Sequence, residues 1–127
     1  MLKTLLVASD QSSLVALAKA LEEDGGAETS WAQNGARALN LVRETGPDLV
    51  IAEENLEDMT ALELIQRLIR INALINTAVV SGLPAEEFHV QSEGLGILAP
   101  LPPDPGRAEA KKLLTRLKEV MGLGQDR

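Results

Sequence analysis

The chain contains no cysteine, which excludes disulfides, thiolate metal sites and a thiol nucleophile and is compatible with a reducing compartment. Aromatic residues are almost missing: Trp31 and Phe88 stand alone, and there is no tyrosine. The core must therefore be aliphatic, built from Leu, Ile, Val and Ala. The one histidine, His89, has no serine and carboxylate at a triad-like spacing and reads as a surface residue. Positive charge is scarce too. Lys and Arg total 12 against 19 Asp and Glu, for a formal charge of -7, and they form no stripe, which disfavours a nucleic-acid partner. The apolar run after Met1-Leu2-Lys3 is far too short for a signal peptide or a membrane span. These absences leave a soluble, cytoplasmic protein as the expectation.

What is present is a chain of 127 residues with 45% hydrophobic content, enough for one domain with one core. The expected domain covers residues 1–122, with a frayed tail at 123–127. Leu5 to Ala8 is a short apolar run closed by Ser9-Asp10, as a buried parallel strand should be. Leu14, Leu17, Ala18 and Leu21 then keep the spacing of one helical face, with Ser12 or Ser13 as cap and Gly25-Gly26 as stop. The alternation repeats. Strands are expected at Ala27–Ala32, Asp48–Ala52, Thr77–Ser81 and Gly94–Ala99. Helices are expected from Asn34-Gly35 to Gly46, from Thr60 to Ile71, weakly from Pro84 to Gln91, and from Pro105 to Met121 with Leu113, Leu114, Leu117 and Val120 inward. Five strands alternating with five helices imply an α/β fold, a parallel sheet covered on both faces through right-handed crossovers. Ligands in such sheets sit at the carboxyl ends of the strands.

The residues at those strand ends resemble the receiver domain of bacterial response regulators over nearly the whole chain. Leu5 to Asp10 resembles the receiver strand that ends in two acids. Pro47 to Glu53 resembles the stretch leading to the phospho-accepting aspartate, with Asn55 two residues later. Ser81 ends the fourth strand where the family carries Thr or Ser, and Gly94 and Pro102 keep the spacing of its glycine and its Lys-Pro pair. The resemblance implies a three-layer, flavodoxin-like doubly wound sheet of strand order 2-1-3-4-5. It also leaves room for a cis Leu101–Pro102 peptide, as in the family.

The departures concern one mechanism. In a working receiver an aspartate carboxylate attacks the phosphoryl group, Mg²⁺ neutralises the oxygens, and a lysine and a hydroxyl grip the product. Here Glu53 stands at the acceptor position, and its extra methylene displaces the carboxylate. Ser9 replaces one metal acid, so Asp10, Glu53 and the Asn55 carbonyl would hold Mg²⁺ weakly or not at all. Leu101 stands at the lysine position and Leu98 at that of the switch aromatic, leaving Ser81 as the one retained switch residue. Glu57-Asp58 replace the usual Pro-Gly turn. The expectation is a pseudo-receiver: a stand-alone signalling module that docks onto protein partners, is not an enzyme, and takes no cofactor.

Alternatives remain open beside it. Glu53 could imitate a phosphorylated aspartate, or be modified slowly as in an ordinary phosphorelay. Asp10, Glu53, Glu54 and Asp58 could form a divalent-cation cluster, although strand-end acids are commonly just solvated. A flavodoxin-like use of Ser9, Ser12 and Ser13 as a phosphate cradle is disfavoured by a glycine-free loop and by one Trp with no Tyr. Trp31 reads as packing. Ile69, Ile71, Leu74 and Ile75 exceed one helical stripe and suggest a partner surface, including a homodimer.

Overall fold

The computed structural model of the chain describes residues 2–121; the expected tail at 123–127 lies outside them. Five strands, β1 (Lys3–Val7), β2 (Glu28–Ala32), β3 (Leu49–Glu53), β4 (Asn76–Val80) and β5 (Ala99–Leu101), alternate with five helices, α1 (Val15–Gly25), α2 (Gly35–Thr45), α3 (Ala61–Ile71), α4 (Ala85–Gln91) and α5 (Arg107–Met121). All pairs are parallel, in the order β2-β1-β3-β4-β5. This is the flavodoxin-like doubly wound arrangement anticipated above.

Side chains alternate across a strand, and that period divides the core into two layers. Leu6, Ala8, Leu49 and Ile51 pack with Leu17 and Leu21 of α1 and Leu113 and Leu117 of α5. Leu5, Val7, Val50 and Ala52 pack with α2 and with Leu64, Ile65 and Leu68 of α3. The central strands are apolar on both faces because both are covered, whereas β2 at one edge alternates exposed and half-buried residues. Trp31 packs, half-buried, against the α1/α5 layer, as expected. At the other edge β5 carries Pro100, a residue whose missing N–H is tolerated where one side of the strand is unpaired.

Several expectations need correction. The fifth strand does not run from Gly94 to Ala99: Gly94 and Gly96 both adopt positive φ, 85° and 65°, which breaks the extended backbone and delays the strand to Ala99. The first helix is not started by a serine side chain. Asp10 caps a single 3-10 turn at Gln11–Ser13, and α1 follows from it without a side-chain cap. Val120 does not point inward but is 60% exposed. No peptide bond among the described residues is cis, so Leu101–Pro102 is trans. The apolar surplus near the end of α3 is no continuous patch: Ile75 is buried, Ile69 and Ile71 are half-buried against the α2/α3 layer, and Leu74 alone is exposed, at 88%. No described helix is long and apolar enough to cross a membrane.

Candidate functional site at the carboxyl ends of the strands

Parallel strands deliver the candidate residues to one end of the sheet. Ser9 and Asp10 follow β1, Glu53 is the last residue of β3, Ser81 follows β4, and Leu101 ends β5. The strand-end positions of Ser9, Asp10, Glu53 and Ser81 follow the sequence reading, whereas Leu101 comes to a strand end only because β5 starts late and runs from Ala99 to Leu101. What their side chains do there differs from position to position.

Glu53 is half-buried and folds back onto the loop between β1 and α1. Its Oε1 accepts the Ser9 N–H at 3.0 Å and its Oε2 accepts the Ser13 hydroxyl at 2.8 Å. The same hydroxyl lies 3.0 Å from the Asp10 carbonyl oxygen, so its proton is shared between two acceptors. Asp10 turns the other way. Its Oδ1 accepts the Ser12 hydroxyl at 2.7 Å and the Ser12 N–H at 3.0 Å, and these two donors, the hydroxyl first, hold its carboxyl below the usual carboxylate range. Ser12 thus directs its hydroxyl to the Asp10 carboxylate, and Ser13 directs its own to Glu53 and to the Asp10 carbonyl.

The segment after β3 carries two more acids, and neither joins Glu53. Glu54 Oε1 accepts the Gly82 N–H at 3.3 Å, across the loop between β4 and α4. Asp58 accepts the N–H groups of Gly35 at 2.8 Å and Ala36 at 3.0 Å. Those are orphan donors at the start of α2, where the helix dipole also favours an anion. The Gly35 and then the Ala36 hydrogen bonds draw the Asp58 carboxyl below its ordinary range, with a smaller contribution from the charge of Arg67. Asn55 is exposed and forms an isolated antiparallel bridge with Thr60. The four acids considered as a cation cluster therefore face separate partners. Among the described residues no three acids, histidines or cysteines gather at metal-binding spacing.

On the β4–β5 side, Ser81 is 7% exposed. Its N–H donates to the Leu101 carbonyl at 2.9 Å and its hydroxyl oxygen accepts the Leu83 N–H at 3.1 Å. Leu101 and Leu98 are both buried in the α1/α5 layer. Leu98 is held further by its backbone: its N–H donates to Thr77 and its carbonyl accepts from Arg116. His89 is exposed on α4.

The roles of Glu54, Asp58 and Ser13 were missed by the sequence reading. The Asn34-Gly35 helix start did signal a need for acceptors, which Asn34 meets at the Arg37 N–H. Nothing in the periodicity told that Asp58, 23 residues on, would meet the rest.

Residues 5–101 match the family model described as the response regulator receiver domain. Among curated proteins the chain is similar to the sporulation initiation phosphotransferase F of Bacillus subtilis (strain 168), 27% identical over 114 residues that cover 87% of this chain and 92% of that protein. Among solved structures it resembles a response regulator receiver domain protein of Methanospirillum hungatei JF-1, with a TM-score of 0.83, 22% identity and coverage of 98% of this chain and 99% of that one. A chemotaxis response regulator of Vibrio cholerae has a TM-score of 0.79 at 22% identity, over 92% of this chain and 98% of that one. With sheet order, strand-end positions and family model in agreement, the chain belongs to the response-regulator receiver domains of two-component signalling.

Proposed function

We propose that this receiver domain is a pseudo-receiver: a module that signals by docking onto protein partners, without being phosphorylated and without enzymatic activity of its own. The observation that carries the reading is the state of Glu53, whose two carboxylate oxygens already accept hydrogen bonds from Ser9 and Ser13. A nucleophile in that state is neither free nor aimed at a phosphodonor. Leu101, 4% exposed within the core, supports it, because no ammonium is then available to steady the phosphoryl oxygens.

Magnesium does not fit the residues present. The ion prefers a near-octahedral oxygen shell anchored by carboxylates. Ser9 brings no carboxylate, Asp10 Oδ1 is engaged by Ser12, and Glu53 is engaged at both oxygens. Asp10, Glu53 and the Asn55 carbonyl therefore form a vestigial set at most. The cytoplasm is the compartment that a cysteine-free two-component module suits.

A second reading keeps phosphoryl transfer on Glu53 or a neighbouring carboxylate. What favours it is the similarity to the sporulation initiation phosphotransferase F of Bacillus subtilis. One measurement separates the two. The purified chain is incubated with acetyl phosphate and Mg²⁺ and examined by intact-mass spectrometry. The docking reading expects no phosphoryl adduct, and an adduct mapped to Glu53 would overturn it.

A further inference from the structure

Three acids within six residues of one another leave the β3–α3 segment in three directions, and each ends on a different neighbouring loop. Glu53 reaches the β1–α1 loop through the Ser9 N–H at 3.0 Å and the Ser13 hydroxyl at 2.8 Å. Glu54 reaches the β4–α4 loop through the Gly82 N–H at 3.3 Å. Asp58 reaches the start of α2 through the Gly35 and Ala36 N–H groups at 2.8 and 3.0 Å. Four of the five donors are backbone amides. Each such bond ties a carboxylate to the main chain of the loop itself, not to a side chain that could turn away from it.

We infer that these carboxylates act together as a tripod that fastens the loops at the carboxyl end of the sheet into one conformation, with no bound ion or phosphoryl group needed to hold them. The three acids are positioning residues, and the device is conformational: a signalling face preset by the chain itself.

Further contacts belong to the same arrangement. The Ala61 N–H donates to the Glu54 carbonyl, and the Leu56 N–H to the Met59 carbonyl, so the segment is closed on itself before it reaches outward. Met59 lies so close to Gly35 that a Cβ at that position would collide with its side chain. The loop is thus seated on α2 by packing as well as by Asp58. The length of Glu53 matters here. An aspartate at the end of β3 would fall short of Ser9 and Ser13 by about one C–C bond, enough to break an aligned hydrogen bond.

The fastening and the absence of phosphorylation can fail separately, and amide hydrogen exchange read residue by residue by NMR on the full chain tells them apart. In metal-free wild type, the Ser9, Gly35, Ala36 and Gly82 amides are expected to exchange well below free-peptide rates. Glu53→Ala should speed Ser9, Glu54→Ala should speed Gly82, and Asp58→Ala should speed Gly35 and Ala36, each by about tenfold or more, the scale of a lost hydrogen bond to a charged acceptor. Amides of the other two arms should stay near their wild-type rates. Glu53→Gln, which keeps the length and an acceptor oxygen, should hold Ser9 better than Glu53→Asp does. If an alanine variant does not fold, Glu53→Gln and Asp58→Asn provide the comparison. Free-peptide rates at Ser9 and Gly35 in wild type would overturn the tripod. So would a marked slowing of these amides on adding Mg²⁺ with beryllofluoride, because the loops would then have been waiting for a ligand. A phosphoryl adduct found alongside protected amides refutes the docking reading alone.

Discussion

Leu101 shows how one residue can close off a chemistry. It ends an edge strand, yet it is 4% exposed and packs between the sheet and the α1/α5 layer. A lysine there loses methyl packing, although its stem keeps part of the contact while the ammonium seeks water at the strand end. Leu101→Lys alone is expected to lower unfolding free energy by about 1–3 kcal/mol, measured by urea denaturation. It should not produce phosphoryl uptake, and neither should Glu53→Asp, because the electrostatic stabilisation of the transferring oxygens would still be incomplete. Only Ser9→Asp, Glu53→Asp and Leu101→Lys together are expected to recover slow uptake from acetyl phosphate, read as a mass adduct. An inert triple variant that folds would place the block in the Glu57-Asp58 turn. The positions of these residues were legible in the sequence because a parallel sheet puts every strand end on one side. Their hydrogen bonds were not, since a carboxylate at a strand end has several loops within reach and the choice is made by rotamer and packing.

At the scale of elements, the sequence was most legible where a local signal marks a boundary. Thr60 and Glu63 form a capping box at the start of α3, with the Thr60 hydroxyl accepting the Glu63 N–H and the Glu63 carboxylate accepting the Thr60 N–H. Thr60→Ala should cost about 1 kcal/mol in the same denaturation assay, and Thr60→Ser should cost clearly less. The fifth strand was less legible. Its neighbourhood, Gly94 to Leu101, contains no regular alternation, and only the positive φ of Gly94 and Gly96 decides that the strand starts late. The first helix was misjudged at its start for a different reason. Ser12, Ser13 and Asp10 are all good caps, and the one with the charge took the turn. At the end of α3 the apolar surplus proved to be half core, because a two-layer sheet buries more than a single stripe of a crossover helix.

For the molecule as a whole, acidity is the property with the clearest consequence. The ion pairs of Arg107 with Glu23 and Asp24 join α5 to the end of α1, but they are well exposed, and such pairs add little to stability. Asp58 and Asp10 differ from those pairs because backbone amides are among their donors, and each has its carboxyl drawn below the ordinary aspartate range. The direction fixes the sign. A carboxyl that holds its proton less tightly when folded contributes stability that is fully present above the unfolded value of about 4, and that is lost as pH falls through the lower folded value. The donors that face Asp58 are the Gly35 and Ala36 amides, with Arg67 as the neighbouring positive charge; the Asp58 carboxyl itself is the group whose proton is at issue. The wild-type urea midpoint should therefore be insensitive to Asp58 from about pH 5 to 8 and decline below about pH 4. Asp58→Asn keeps one acceptor oxygen for α2 but has no proton to gain. Its midpoint should start lower at neutral pH and decline less steeply in acid, so the two curves converge as pH falls. Parallel curves, with the same offset at pH 3 as at pH 7, would show that the Asp58 charge does not hold α2 to the β3–α3 segment.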